Sequence, residues 1–333
     1  MKALVLNEVK SPLDLADRED PVAHAGQAVV SLKAAALNRR DFWITQGMYP
    51  GVKAPCILGS DGAGVLESVG EGVDASWVGR DVIINPGGDW GPDEAAQQGA
   101  FNILGMPDDG TFAERLAIPA AQLAAKPEHL SWAEAAALPL AGLTAYRAVF
   151  SQGGLQEGQT ILITGIGGGV AVSALQFAVA AGAKALVTSS SAEKLSRASE
   201  LGAAAGANYK EEGWAKTLGG EHGPIDLIID SAGGEGYNDL LDLVKPGGRV
   251  VNYGATAGPP RKLDMFKLFW KQLQLIGSTM GSPEDFAAMT AFVDEHQIRP
   301  AVDKMVPLAE GAELVASMAD SPQFGKLVLE IGA

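Results

Sequence analysis

A chain of 333 residues, 47% hydrophobic and 20% charged, is long enough to build two globular domains with cores of their own. Its 40 acidic side chains against 25 basic ones leave a net charge of −15. That balance excludes a nucleic-acid partner, because such partners are held mainly by lysines and arginines on phosphates. The single cysteine, Cys56, excludes a disulfide framework, the lack of a long apolar run excludes a membrane span, and MKALVLNEVK does not read as a signal peptide. A cytoplasmic protein is expected.

The first 120 residues alternate short β-rich runs with glycine, proline and aspartate clusters. Strands are predicted over 2–6, 27–35, 65–69 and 81–85, and together they make a mostly antiparallel β domain. SWAE at 131–134 predicts a helix start, with Ser131 as N-cap and Glu134 closing a capping box. Pro139 is expected to interrupt that helix, and a second follows over 143–150.

From residue 159 the rhythm becomes strand, turn, helix. Strands are predicted over 160–164, 185–188, 207–209, 225–230, 249–253 and 273–277, with helices over 172–181 and 192–201 ended by Gly182 and Gly202. This alternation predicts a parallel, doubly wound sheet, and hence an α/β chain. Past residue 282 the rhythm breaks: a helix over 283–296, a strand over 304–307, a helix over 309–317 and a closing strand in GKLVLEI return the chain to the first domain.

The segment ITGIGGGVAVSALQFA places glycines between an apolar strand and a helix. A dinucleotide pyrophosphate needs backbone amides at close range and the positive end of a helix. Gly167, Gly168, Gly169 and Val170 are therefore candidate cofactor ligands, and Ala171 is read as the small residue closing a G-x-G-x-x-[GA] frame. At the end of the next strand stand Ser189, Ser190 and Ser191, then Lys194, and no carboxylate. A carboxylate there would bind a ribose 2′-hydroxyl, whereas hydroxyls and an ammonium suit a 2′-phosphate. NADPH is the expected cofactor, with Glu193 the one neighbour that speaks against it.

The motifs LNRRDFWITQGMYP (37–50), PCILGSDGAGVLESVGEGV (55–73), VGRDV (78–82), LPLAGLTAYRAV (138–149), the glycine turn and GKLVLEI (325–331) occur in this order. Over essentially its whole length the chain resembles the medium-chain dehydrogenase/reductase superfamily. The resemblance implies a GroES-like catalytic domain over 1–122 and 283–333, a Rossmann domain over 123–282, and a cofactor cleft between them. The alcohol dehydrogenase branch of that family carries zinc on Cys, His and a third Cys, Asp or Glu. The matching positions here are Asn38, Ser60 and the neighbourhood of Leu140, and residues 85–110 lack the cysteines of a structural zinc. No metal is expected, and the chain resembles the zinc-free, quinone oxidoreductase-like branch.

Chemistry agrees with that choice. Alcohol oxidation needs a stabilised alkoxide, which zinc provides. Hydride addition to a quinone or an activated C=C bond needs only hydrogen-bond donors and a proton at the developing oxyanion. The resemblance implies that Asn38 donates to a carbonyl oxygen and that Tyr49 donates a hydrogen bond or proton, solvent being the other proton source. It implies that Thr144 contacts the nicotinamide, that Lys194 and Tyr209 hold the 2′-phosphate, and that Tyr253 and Gly254 touch the nicotinamide ribose. Trp43 stands where relatives commonly carry tyrosine.

Cys56 is expected to be a buried small hydrophobe. The four histidines, His24, His129, His222 and His296, fall outside these motifs. Asp41 and Asp61 are expected to pair with Arg39, Arg40 or Arg80. Residues 86–109, with Trp90, Phe101 and Met106, suggest a lid or a dimer contact. Phe269, Trp270 and Leu275 suggest a face for a homodimer or homotetramer. The leading function is an NADPH-dependent, zinc-independent reductase of quinones or α,β-unsaturated carbonyls. Two alternatives are an alcohol dehydrogenase with an unusual metal site and a non-catalytic NADPH-binding protein.

Overall fold

The computed structural model describes residues 1–320 and 322–332. The chain forms two compact units, Met1–Ala141 with Ser282–Ala333, and Gly142–Gly281.

In the first unit the long strand Gln27–Ala36 is the organising element. It pairs antiparallel with Asp61–Val69, with Arg115–Pro119 and with Lys326–Glu330, and Val302–Pro307 adds in parallel beyond the last of these. Its C-terminal end is a run of small residues, Ala34, Ala35 and Ala36, each no more than 1% exposed. Ala34 and Ala35 lie opposite the equally small Ala63 and Gly62, and one step on, opposite Leu32, a Cβ on Gly64 would stand 2.2 Å from the Ser31 carbonyl oxygen, which glycine alone permits. The register has a direct consequence. Ala36 lies opposite Asp61 on one side and Val328 on the other. Asn38, Asp61 and Lys326 therefore reach the same end of three adjacent strands, although 288 positions separate the first from the last.

The closing strand Lys326–Glu330 pairs with Gln27–Ala36, and the tail from Ser282 lies in the first unit. The first crossing between units differs from the sequence expectation, falling after Ala141 rather than after residue 122. The cause is the helix Trp132–Ala137, which packs on the strands Gln27–Ala36 and Asp61–Val69 through its buried Ala135, Ala136 and Ala137. Its capping box forms as read, with Ser131 N–H donating to Glu134 Oε2 at 2.8 Å. Pro139 opens the next helix, Pro139–Tyr146, rather than merely breaking the previous one, as suits a residue whose missing N–H is not needed in a first turn. That helix runs on into a π-helical stretch, Arg147–Gln152.

In residues 86–109 the aromatic side chains turn inward. Trp90 is 3% exposed and packs edge-on against Phe101 at 5.3 Å, and Met106 is buried. Trp90 and Met106 are thus buried within their own unit, while Phe101 is half-buried.

The second unit is a six-stranded parallel sheet in the order Ala205–Asn208, Lys184–Ser189, Thr160–Ile163, Ile225–Asp230, Val244–Asn252, Gln274–Gly277. The chain starts in the middle and winds outward both ways, so the strand order reverses between Thr160–Ile163 and Ile225–Asp230, where ligands of such sheets bind. Ile161, Leu162, Ile163, Ile228, Ile229, Val250 and Val251 are all fully buried, as expected where helices cover both faces. Among the described residues no helix is long and apolar enough to cross a membrane.

Candidate functional site

Each unit carries one polar constellation. In the second unit it surrounds the glycine turn. Gly165 and Gly167 adopt φ values of +64° and +135°, and the second is a backbone conformation open essentially to glycine. Gly168 is the N-cap of the twelve-residue helix Gly169–Ala180 and makes no side-chain capping hydrogen bond. The turn is bolted to the neighbouring strand: Ile166 N–H donates to the Thr188 carbonyl at 2.8 Å and Gly165 N–H to Thr188 Oγ1 at 3.2 Å. A Cβ on Gly167 would lie 2.7 Å from Lys194 Cδ, so Lys194 lies directly over the turn. Counted from Gly165, the glycine frame ends on Val170, which is half-buried. Ala171 is one residue later and is the small residue buried against the sheet.

The predicted 2′-phosphate group divides in two. Ser190 Oγ accepts from Tyr209 Oη at 3.2 Å, and both residues are exposed. Ser189 and Ser191 work locally instead: Ser191 Oγ caps the helix Ala192–Glu200, and Ser189 Oγ accepts from Ser191 N–H at 3.1 Å. Thr144 is buried, with Oγ1 3.9 Å from Met280 Sδ. Burial pushes the Tyr253 phenol up to about 12, its hydroxyl being bonded to Ser231. At Gly254 a Cβ would stand 3.0 Å from the Ser231 carbonyl oxygen.

Sequence reasoning missed a chain of side chains that holds these strand ends together. Thr164 Oγ1 donates to Asp230 Oδ1 at 2.6 Å. Asn252 Nδ2 and Gly233 N–H donate to Asp230 Oδ2 at 2.9 and 2.8 Å, and Tyr237 Oη donates to Asn252 Oδ1 at 2.6 Å. Asp230 is 1% exposed. Buried and accepting from three donors, it ties the glycine turn to the two strands beyond it.

In the first unit the constellation sits where the strand register brings Asn38, Asp61 and Lys326 together. Lys326 Nζ donates to Asn38 Oδ1 and to Asp61 Oδ2, each at 2.7 Å. Asn38 Nδ2 donates to Asp61 Oδ2 at 2.8 Å, and Leu140 N–H donates to Asp61 Oδ1 at 2.7 Å. All three side chains are buried. The cation paired with Asp61 is thus Lys326, not an arginine. Beside them Arg40 Nη1 donates to Ser60 Oγ and to the Leu104 carbonyl, each at 2.7 Å, and the Arg40 guanidinium lies 5.0 Å from the Tyr49 ring centre. Ser60 Oγ itself donates to the Leu104 carbonyl at 2.8 Å. Tyr49 is half-buried against the apolar core. Cys56 is buried, and burial raises its thiol above the usual range.

The matches to known proteins follow the same division. An alcohol dehydrogenase GroES-like domain model matches residues 24–128, and a zinc-binding dehydrogenase model matches residues 169–295. The chain is 36% identical, over 97% of its length and 96% of the other, to the zinc-type alcohol dehydrogenase-like protein YogA of Leptosphaeria maculans. The chain belongs to the medium-chain dehydrogenase/reductase superfamily. Within the superfamily it is 29% identical to an acryloyl-coenzyme A reductase of Sulfurisphaera tokodaii, over 99% of this chain and 100% of that one. Among solved structures it matches an NAD-dependent alcohol dehydrogenase with a TM-score of 0.94 and 36% identity over 100% of both chains, and a mycobacterial quinone oxidoreductase with a TM-score of 0.83 and 25% identity over 99% of both. As a medium-chain dehydrogenase/reductase it is an oxidoreductase that uses a nicotinamide cofactor.

One further buried carboxyl adjoins the Asn38 cluster of this superfamily member. Asp41 Oδ2 accepts from Asn38 N–H at 2.7 Å, while its Oδ1 has no hydrogen-bond partner among the described residues. Burial raises Asp41 from 3.8 to about 6, with the Arg40 charge opposing. A carboxyl whose folded value exceeds its unfolded one holds its proton more tightly when folded. Its contribution therefore favours the fold below pH ~4 and is lost as pH rises through ~6, a change on the order of 1–3 kcal/mol. Asp41→Asn is expected to flatten stability across that window, as denaturant unfolding at a series of pH values would show. An unchanged pH profile would contradict the assignment.

Proposed function

We propose that this oxidoreductase is a cytoplasmic NADPH-dependent reductase that adds hydride to a quinone or an α,β-unsaturated carbonyl without a metal ion. The observation that carries the reading is the buried Asn38–Asp61–Lys326 cluster. A zinc ion, which the name of the matching family model implies, does not fit there. Asn38, Ser60 and Leu140 offer an amide, a hydroxyl and an alkyl group at the matched positions, and Asp61 Oδ2 already receives the Lys326 ammonium at 2.7 Å. A resident cation and a dication on the same carboxylate oxygen would repel one another. What the cluster offers is hydrogen-bond donors, which suit an oxygen gaining negative charge.

The fit of the cofactor rests on the glycine turn. Gly165 and Gly167 at positive φ, and a glycine rather than a side-chain cap at the head of the helix behind them, support a pyrophosphate seated on the amides at the start of that helix, beside Lys194. When bound, the reduced nicotinamide supplies the hydride. Gly167, Gly168, Gly169 and Val170 hold the pyrophosphate, and Ser190, Lys194 and Tyr209 hold the 2′-phosphate. Ser189 and Ser191 shape that loop, and Thr144, Tyr253 and Gly254 flank the nicotinamide end. Asn38 donates to the substrate oxygen, and Tyr49 donates a hydrogen bond or the proton that neutralises it. The acryloyl-coenzyme A reductases among the relatives support an activated C=C bond as the target. The exposed Phe266, Phe269 and Trp270, with Phe266 stacked on Trp270 at 5.8 Å beside the edge strand Gln274–Gly277, support a homodimer or homotetramer built through that edge.

Lys194→Ala tests the cofactor assignment. Losing one charge-assisted bond to phosphate costs ~1.5–3 kcal/mol, so the variant is expected to bind NADPH about 10- to 100-fold more weakly, with NADH affinity changed by less than about 3-fold. Equal losses for both cofactors in a binding titration would sink the assignment.

A further inference from the structure

We propose that Lys326 and Asp61 form a clamp that fixes the amide of Asn38 in one orientation, and that the site therefore takes a substrate presenting an oxygen acceptor, a carbonyl that becomes an enolate or phenolate. The inference rests on the reductase reading above and adds a positioning residue, Lys326, to it.

The orientation follows from chemistry. An ammonium has only donors, so the Asn38 atom 2.7 Å from Lys326 Nζ is the carbonyl oxygen. A carboxylate has only acceptors, so the atom 2.8 Å from Asp61 Oδ2 is the amide nitrogen. Flipping the amide would set N–H against N–H⁺ and oxygen against oxygen at once. Asp61 is held in turn by Leu140 N–H at 2.7 Å and by the sheet register, and its own carbonyl accepts from Thr111 Oγ1 at 2.8 Å. The clamp is thus anchored on backbone and cannot rotate with the amide.

The Asn38 amide has donor capacity to spare. Nδ2 has two hydrogens and, among the described residues, one acceptor. One N–H is left over, polarised by the ammonium drawing on the far end of the same amide. The neighbouring hydroxyl does not compete for that role, since Ser60 Oγ both accepts from Arg40 and donates to the Leu104 carbonyl. An N–H held in this way selects an oxygen acceptor, and most strongly one that gains charge during reaction.

Three variants and two readouts test the clamp on the full-length protein, with NADPH and 2-cyclohexenone or benzoquinone as acceptor. Lys326→Met combined with Asp61→Leu removes the clamp without leaving a lone buried charge. It is expected to fold and bind NADPH within about 3-fold of the parent, yet lose about 10- to 100-fold in kcat, because the donor is no longer held where charge develops. Lys326→Arg keeps a donor cation and is expected to retain most of kcat. Asn38→Asp sets two carboxylate oxygens 2.8 Å apart and is expected to lower Tm by at least about 5 °C. A folded Lys326→Met, Asp61→Leu protein with parental kcat overturns the clamp, as does an Asn38→Asp protein with parental Tm. If the parent protein itself reduces neither acceptor, the reductase reading fails instead, and the Asn38→Asp melting shift still decides the clamp.

Discussion

Asp61→Leu alone is expected to be among the most destabilising single changes in the chain. The substitution removes the carboxylate that receives Lys326, Asn38 and Leu140 and strands an ammonium whose side chain is 5% exposed. Breaking a buried pair by removing one partner costs ~3–5 kcal/mol, because the remaining charge stays out of water without compensation. For a unit of this size that corresponds to a fall in Tm of roughly 10 °C or more. Removing both charges together is a different experiment: replacing a buried ion pair with apolar groups of similar volume is often close to neutral. The Lys326→Met, Asp61→Leu protein should therefore melt well above Asp61→Leu. Thermal unfolding of the two side by side decides the point, and a single variant as stable as the double would remove the ion pair from the account.

Gly167→Ala is expected to damage cofactor binding most. The alanine would have to adopt φ near +135°, a strain on the order of 1–3 kcal/mol. Its Cβ would also stand 2.7 Å from Lys194 Cδ and 3.2 Å from Nζ, so the lysine side chain must shift from its place over the turn. Strain and loss of that contact together predict NADPH binding weakened by about 100-fold, while the sheet, whose buried strands are untouched, keeps most of its stability. NADPH fluorescence titration reads the first effect and thermal unfolding the second. Binding within a few-fold of the parent would mean that the pyrophosphate does not sit on this turn.

How legible these features are in sequence depends on how local their causes are. The glycine turn is local: an apolar strand, a run of glycines and a small-residue helix within about twenty positions announce both the turn and its partner element. The Ser131 and Glu134 capping box is local and forms as read. Lys326 is the opposite case. It lies in plain view in GKLVLEI, but its role depends on Ala36 pairing with Val328 on one side and Asp61 on the other, a register that no window of sequence contains. Without it, nothing local marks Lys326 rather than Arg39, Arg40 or Arg80 as the partner of Asp61. The Thr164–Asp230–Asn252–Tyr237 chain escaped for the same reason, since its members meet only across three strands of the sheet.

Where local signals misled, tertiary context prevailed. Three consecutive serines promise three phosphate donors, yet Ser189 turns inward and Ser191 caps a helix, leaving Ser190 with Tyr209 outside. A serine before a helix satisfies an otherwise orphaned N–H, and that local gain is available whether or not a ligand binds. Residues 86–109 suggest a lid or a dimer contact because the stretch is longer than a tight turn needs and carries Trp90, Phe101 and Met106. In the fold Trp90 and Phe101 pack on each other, and the Leu104 carbonyl accepts from Arg40 and Ser60.

The most direct test of the account is steady-state oxidation of NADPH by chelator-treated protein supplied with 2-cyclohexenone or benzoquinone. The account predicts turnover that is unchanged by the chelator and at least about 10-fold less efficient with NADH. Activity that vanishes on chelation and returns with added zinc, or alcohol oxidation with no reduction of either acceptor, would contradict it.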